Sequence, residues 1–174
     1  MLDNIMYVVC FGSSTIRLYN TDPSSPLDGV IDVEGMRNPH DIVVCCDDRQ
    51  LYVSHWSCIW RVSCDDHSYV KWLPTESTTD TFTVTALSLT SRRLLVTSEW
   101  SRRLRQYSTT DRQLLRVVEL PQYVIDVRHG FETTRGTFVV GHRGKSQDQR
   151  QSAVSELLTV SSLRNYNVLI GYRV

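Results

Sequence analysis

No stretch of this 174-residue sequence approaches the roughly 20 consecutive apolar residues needed to cross a bilayer; runs such as "IMYVVCF" are far shorter. A membrane-spanning helix is therefore excluded, and no membrane partner is expected. Asp3 and Asn4 interrupt the N-terminus, and no basic segment precedes an apolar core, so no signal peptide is expected. The sequence has no C-x-x-C and no N-x-S/T sequon, and its cysteine count of five (Cys10, Cys45, Cys46, Cys58, Cys64) is odd. A disulfide framework or zinc site would want even numbers or paired short spacings. Adjacent Cys45 and Cys46 on a strand would point to opposite faces and share a metal poorly. The expectation is buried free thiols in a reducing, cytoplasmic setting. Also missing are H-E-x-x-H, any pair of histidines three or four apart, G-x-S-x-G, a P-loop and a dinucleotide fingerprint. No enzyme and no cofactor are expected. Amphipathic runs of ten or more residues at a 3.6 period are lacking too, which removes helical repeats.

What is present is an ordinary globular balance, 41% hydrophobic and 22% charged, with zero net charge. That neutrality hides a division. Residues 1–87 carry 12 Asp/Glu against 5 Lys/Arg, and residues 88–174 carry 14 Lys/Arg against 7 Asp/Glu. A basic half points to an anionic partner, to the other half, or to another copy.

The strongest signal is repetition. "MYVVCF" begins at Met6, "LYVSHW" at Leu51, "LLVTSEW" at Leu94 and "TFVVGH" at Thr137, at spacings of 45, 43 and 43 residues. A period near 43 built of short strands is the signature of propeller blades. The second unit is clearest: "DIVVC", a "DDRQ" turn, "LYVSH", "CIWRVS", a "CDDHS" turn and "YVKWL". Alternation in "IRLYN", "RLRQYS" and "YVKWL" marks half-buried strands, whereas continuous "DIVVC" and "MYVV" read as inner strands buried on both faces. The predicted fold is all-β: a propeller segment of about four blades of four antiparallel strands, over 1–38, 39–80, 81–121 and 122–174. The first blade shows only three strands, so 15 are expected. The C-terminal "NVLIGYRV" can finish the fourth blade or supply the strand missing from the first, but not both. An open arc of a larger propeller is expected, self-associating through its open blade edges.

The stretch "NPHDIVVCCDDRQLYVSHWSCIWRV" resembles the NHL-repeat unit. Pro39, Ile42, Val43 and Val44 match its first strand, Asp47–Asp48 its acidic turn, and Leu51–Ser54 and Ile59–Val62 the next two strands. "TALSLTSRRLLVTSEWSRRLRQYS" matches the frame more loosely. The paired glycines of kelch blades and the Gly-His…Trp-Asp pattern of WD40 blades are absent. The resemblance implies a non-catalytic binding platform of the kind that forms the substrate-recognition end of tripartite-motif ubiquitin ligases. Some propellers of related architecture are instead metal-dependent hydrolases or lyases.

In such blades the loop between second and third strands shares a face with the inter-blade loop. That face collects His55, Trp56, Trp100, Arg102, Arg103, His142, Arg143 and Lys145, with Asn38, His40 and Tyr123 from the inter-blade loops. Aromatics with arginine are the chemistry of protein hot spots, so a protein partner is expected through His55, Trp56, Trp100, Arg102, Arg103, His142 and Arg143. Against this stands blade-to-blade packing, the commoner fate of an aromatic repeated at a fixed position. RNA is the alternative ligand, since aromatics and arginine also stack unpaired bases. His40, His55 and His142 are the candidates for a metal, although no metal is expected. Asp41 and Asp126 read as loop hydrogen-bonders rather than channel groups.

Overall fold

The computed structural model describes residues 4–22, 24, 28–56, 58–74, 83–122, 124–143, 155–161 and 170–172. These residues contain 15 strands and no helix. The first sheet is β1 (Ile5–Val9), β2 (Thr15–Asn20) and β3 (Asp28–Asp32). The second is β4 (Asp41–Cys45), β5 (Gln50–His55), β6 (Cys58–Ser63) and β7 (Tyr69–Pro74). The third is β8 (Ala86–Thr90), β9 (Arg93–Thr97), β10 (Arg103–Ser108) and β11 (Leu114–Glu119). The fourth is β12 (Ile125–Glu132), β13 (Thr137–Arg143), β14 (Ser155–Ser161) and β15 (Ile170–Tyr172). Within each sheet the strands pair antiparallel in chain order, the meander of a propeller blade. β15 pairs with β14, with Leu158 opposite Ile170, so the C-terminal strand finishes the fourth sheet.

The chain divides into two compact units, Met1–Glu76 and Ser77–Val174, each holding two sheets. In the first unit Tyr7, Ile16, Leu18 and Ile31 of one sheet pack with Leu51, Val53, Trp60 and Val62 of the other, and Val33 and Met36 join them from the connection. In the second unit Leu95 and Leu104 pack with Val127, Phe138 and Val140, joined by Leu120 and Val124. Each fully buried Leu, Ile or Phe here stabilises its unit by about 1.5–3 kcal/mol. Alternation works as expected in β2, where Ile16 and Leu18 are buried and Arg17 is exposed.

The strands buried on both faces are not the expected ones. Leu51 through Ser54 of β5 and Leu94 through Thr97 of β9 are buried, while β4 is half-buried along most of its length and Met6 of β1 is exposed. A second strand has a paired neighbour on each side as well as packing above and below. The thiol expectation is also corrected in part. All five cysteines are free and Cys45 and Cys58 are buried, but Cys10 and Cys46 are exposed because they fall in turns.

One turn recurs between third and fourth strands. In the second sheet Ser63 N donates to Ser68 O at 2.8 Å, Asp66 N to Ser63 Oγ at 3.4 Å and Ser68 N to Asp66 Oδ1 at 3.1 Å. In the third, Ser108 N donates to Gln113 O at 2.9 Å, Asp111 N to Ser108 Oγ at 3.4 Å and Gln113 N to Asp111 Oδ1 at 3.2 Å. The residue after each aspartate, His67 (φ 59°) or Arg112 (φ 64°), is left-handed. The side-chain bonds hold what glycine would otherwise supply.

Candidate protein-interaction surface

The β1–β2 turn of the first unit reverses at Gly12, whose φ of +86° few other residues adopt readily, and this leaves Phe11 at the tip. Asn38, also left-handed at φ 50°, and the buried Pro39 deliver His40 to the start of β4, where its N–H donates to Ser54 O at 3.0 Å. The short β5–β6 turn presents Trp56. These three loops bring their rings together. Phe11 meets His40 edge-on at 5.7 Å between centroids, and His40 meets Trp56 edge-on at 5.2 Å. Both geometries suit ring quadrupoles. Phe11 is 70% exposed and Trp56 50%, while His40 Nε2 between them is buried and lacks a hydrogen-bond partner among the described residues.

Along the same two loops lies a cleft of about 500 Å³ lined by Gly12, Ser13, Ser14, Asp32, Glu34, Gly35, Met36, Arg37 and Asn38. Ser14 Oγ donates to Asp32 Oδ1 at 3.0 Å across it. His55 ends β5 with Nδ1 3.6 Å from Cys58 Sγ. Burial pushes the His55 imidazole below its ordinary pKa, with help from His40 and Lys71. Asp41 Oδ1 accepts from Ile42 N at 2.8 Å, the local bonding expected of it. Asp126's side chain lies outside the described residues.

In the second unit the β9–β10 loop holds Trp100, 75% exposed, with Arg102 exposed beside it. The loop is tied by Ser101 N donating to Ser98 O at 3.3 Å and Arg103 N to Ser101 Oγ at 3.2 Å. Arg103 is engaged with Glu119 at 2.7 Å, and Glu99 with Arg128 at 2.9 Å. His142 differs from expectation: β13 runs on to Arg143, so His142 is a buried strand residue rather than a loop residue. For Arg143 only the backbone is described, and Tyr123 and Lys145 lie outside the described residues. Among the described residues no three or more His, Cys, Asp or Glu side chains gather as a metal site.

Phe11 was not anticipated, yet the repeat frame contains it. Phe11 and Trp56 end "MYVVCF" and "LYVSHW" at one position of the repeat, and Trp100, ending the longer "LLVTSEW", lies one residue further along in the next blade. Phe11 and Trp56 share in packing between blades through His40, yet all three aromatics stay at least half exposed.

No family model matches the chain, and no curated protein matches its sequence. Solved structures do. Hydrazine synthase of Kuenenia stuttgartiensis superimposes with a TM-score of 0.69 at 13% identity, over 97% of this chain and 51% of that one. A chain of a nidogen/laminin complex superimposes with a TM-score of 0.66 at 12% identity, over 95% of this chain and 60% of that one. The chain thus spans about half to three-fifths of the chains it matches. At such identities the likeness speaks for the fold alone, and it agrees with the blade meanders: the chain has an all-β fold of propeller-type blades.

Proposed function

We propose that this protein is a non-catalytic propeller module of NHL type that binds a protein partner through the loops after each blade's second strand. One observation carries the reading: Phe11, Trp56 and, one residue further along its loop, Trp100 each follow the second strand of a blade and are 70%, 50% and 75% exposed. The ring surface that stays in water costs solubility. Three such rings in equivalent loops are the anchor chemistry of a protein interface. The NHL-like sequence of the second blade supports the family reading. By that resemblance the module acts as a substrate-recognition platform of the tripartite-motif ligase kind, working in the cytoplasm with its thiols reduced. One of the structural neighbours, nidogen/laminin, is itself a protein complex. Arg102 contributes next to Trp100, and His55 acts behind Trp56 rather than at the surface.

The test is affinity purification with wild type and with Phe11→Ala, Trp56→Ala and Trp100→Ala, each checked by thermal melting. The expected outcome is loss of the same specific partner from at least two variants with unchanged melting. Retention of that partner by all three sinks the proposal. Binding to single-stranded RNA that falls steeply with salt would replace the protein partner with a nucleic acid.

A further inference from the structure

The turns at the end of the blades away from the aromatic loops carry the division of charge seen in the sequence. In the second sheet the turns after β4 and β6 are tied together, Cys64 N donating to Arg49 O at 2.9 Å. In the third sheet the turns after β8 and β10 are tied by the matching bond, Thr109 N donating to Arg92 O at 2.9 Å. Thr109 Oγ1 donates to the same carbonyl at 3.2 Å. The two units thus share one frame, but the charges on it are reversed. In the first unit it holds Asp47, Asp48, Asp65 and Asp66 against Arg49, whose Nε donates to Asp65 Oδ1 at 2.6 Å. In the second unit Thr110 stands where Asp65 does and Arg112 where His67 does, by the register of the shared Ser-x-x-Asp bonds. Arg92 and Arg112 are exposed on these turns against Asp111 alone. The β12–β13 turn joins them: Thr90 Oγ1 donates to Glu132 O at 3.2 Å, and exposed Arg135 follows in that turn. Glu132 adds no charge to this surface, because its side chain is 1% exposed and faces Arg116 and Arg93.

We propose that the acidic turn face of one copy's first unit binds the basic turn face of another copy's second unit. Charge complementarity decides the occupant: the two faces are opposite in sign, share one frame, and are both supplied by every copy of the chain. Arginine suits aspartate because its planar fork can meet both carboxylate oxygens. The basic turns contain no aromatic ring on which an unpaired base could stack, which sets single-stranded RNA aside for this face. Acid against base also fixes the order of the copies, since like faces repel. The contacts lie in water, so their attraction reaches about 8 Å at physiological ionic strength and only about 3 Å at 1 M salt. The association is accordingly weak and salt-sensitive, unlike one made through apolar blade edges.

Sedimentation velocity of the full chain at about 0.05 M and about 0.5 M salt tests this. Wild type should associate as its concentration rises through the micromolar range at low salt, and should separate at high salt. Two double variants each reverse one face: Arg112→Glu with Arg135→Glu, and Asp47→Lys with Asp65→Lys. All four residues are exposed and the Arg49–Asp65 pair is a surface one, so melting should change little. Each variant alone presents two faces of like charge and should stay monomeric at low salt. Mixed in equal amounts, the two variants should associate, because the unaltered acidic face of one again meets the unaltered basic face of the other. Should the glutamate pair melt early, Arg112→Gln with Arg135→Gln removes the same charges and should weaken wild-type association at least about tenfold. A wild type monomeric at low salt, association that survives high salt, self-association of either variant, or a mixture that stays monomeric overturns the proposal.

Discussion

Glu132 offers the sharpest test of how the second unit is held together. It ends β12 with its side chain 1% exposed, between three donors from the preceding sheet. Gln106 Nε2 donates to Oε2 at 2.7 Å, Arg116 Nη2 donates to Oε1, and Arg93 Nη1 stands 3.6 Å from Oε1. Arg116 is fixed in turn, donating through Nε to Gln106 Oε1 at 2.7 Å and lying 4.4 Å over the Phe138 ring. Glu132→Ala removes the only carboxylate among these contacts and leaves Arg116 without its counter-charge. Breaking a buried pair costs about 3–5 kcal/mol. Arg116 is 27% exposed and the more distant Arg93 43%, so water relieves part of this and the lower end, about 3 kcal/mol, applies. With a urea m-value of about 2 kcal/mol/M, the midpoint should fall by about 1.5 M. Glu132→Gln keeps the shape and one acceptor and should cost about half as much. Urea melts followed by circular dichroism, with hydrogen exchange of β10 and β13, give the readout. Both variants lying within about 0.5 kcal/mol of wild type would refute the reasoning, because a buried carboxylate at the centre of such contacts cannot be lost at so little cost.

Thiol labelling of the native protein should modify Cys10 and Cys46 quickly, the half-buried Cys64 more slowly, and Cys45 and Cys58 only on unfolding, since burial pushes the latter three above the ordinary thiol range. Four or five fast thiols would contradict the burial. Hydrogen bonds from Ser63 and then Ser68 hold Asp66 down to about 2, against an ordinary 3.8. A lowered carboxylate stabilises above its unfolded pKa, and the benefit disappears as pH falls from about 4 towards 2. Ser63→Ala should therefore move the Asp66 midpoint upward in an NMR titration, and an unmoved midpoint counts against the turn. His55 is also lowered, so the unfolded chain binds its proton first and stability should decline as pH falls below about 6.5. His55→Gln should flatten that part of the stability profile, and an unchanged slope would place the effect elsewhere.

Period and alternation made the strands legible. "TIRLYN", "CIWRVS", "RLRQYS" and "DIVVC" coincide with β2, β6, β10 and β4 because each run is bounded by turn residues. Boundaries were weaker where the chemistry was mixed. The run "YVIDVRH" reads as the fourth blade's first strand, ending at His129, but the strand continues through Gly130 and Phe131 to Glu132, since Phe131 pairs with Val139 and Glu132 with Phe138. No local pattern marks a buried Glu132, because its partners lie 16 and 26 residues earlier on another sheet. His142 failed for a related reason: a histidine after "VVG" resembles the start of a loop until the pairing of His142 with Glu156 extends the strand. The exposed aromatics lay between these extremes. Their spacing was visible, but which way they point depends on the turns, as at Gly12 beside Phe11.

The recurring Ser-x-x-Asp turn bears on the order in which the chain folds. Each copy bonds within six residues, so the β6–β7 and β10–β11 hairpins close by local contacts alone, one in each compact unit. Hairpins form in about 1–10 μs, far sooner than pairings that must close long loops. Two nuclei of matching design can thus form independently, each offering a finished edge on which its second and first strands add in turn. Asp66→Ala and Asp111→Ala should then slow refolding, whereas Glu132→Ala, acting where two sheets meet, should chiefly speed unfolding. A chain that starts from two separate hairpins needs no long-range search to begin, and its slow step is the meeting of sheets rather than the making of them.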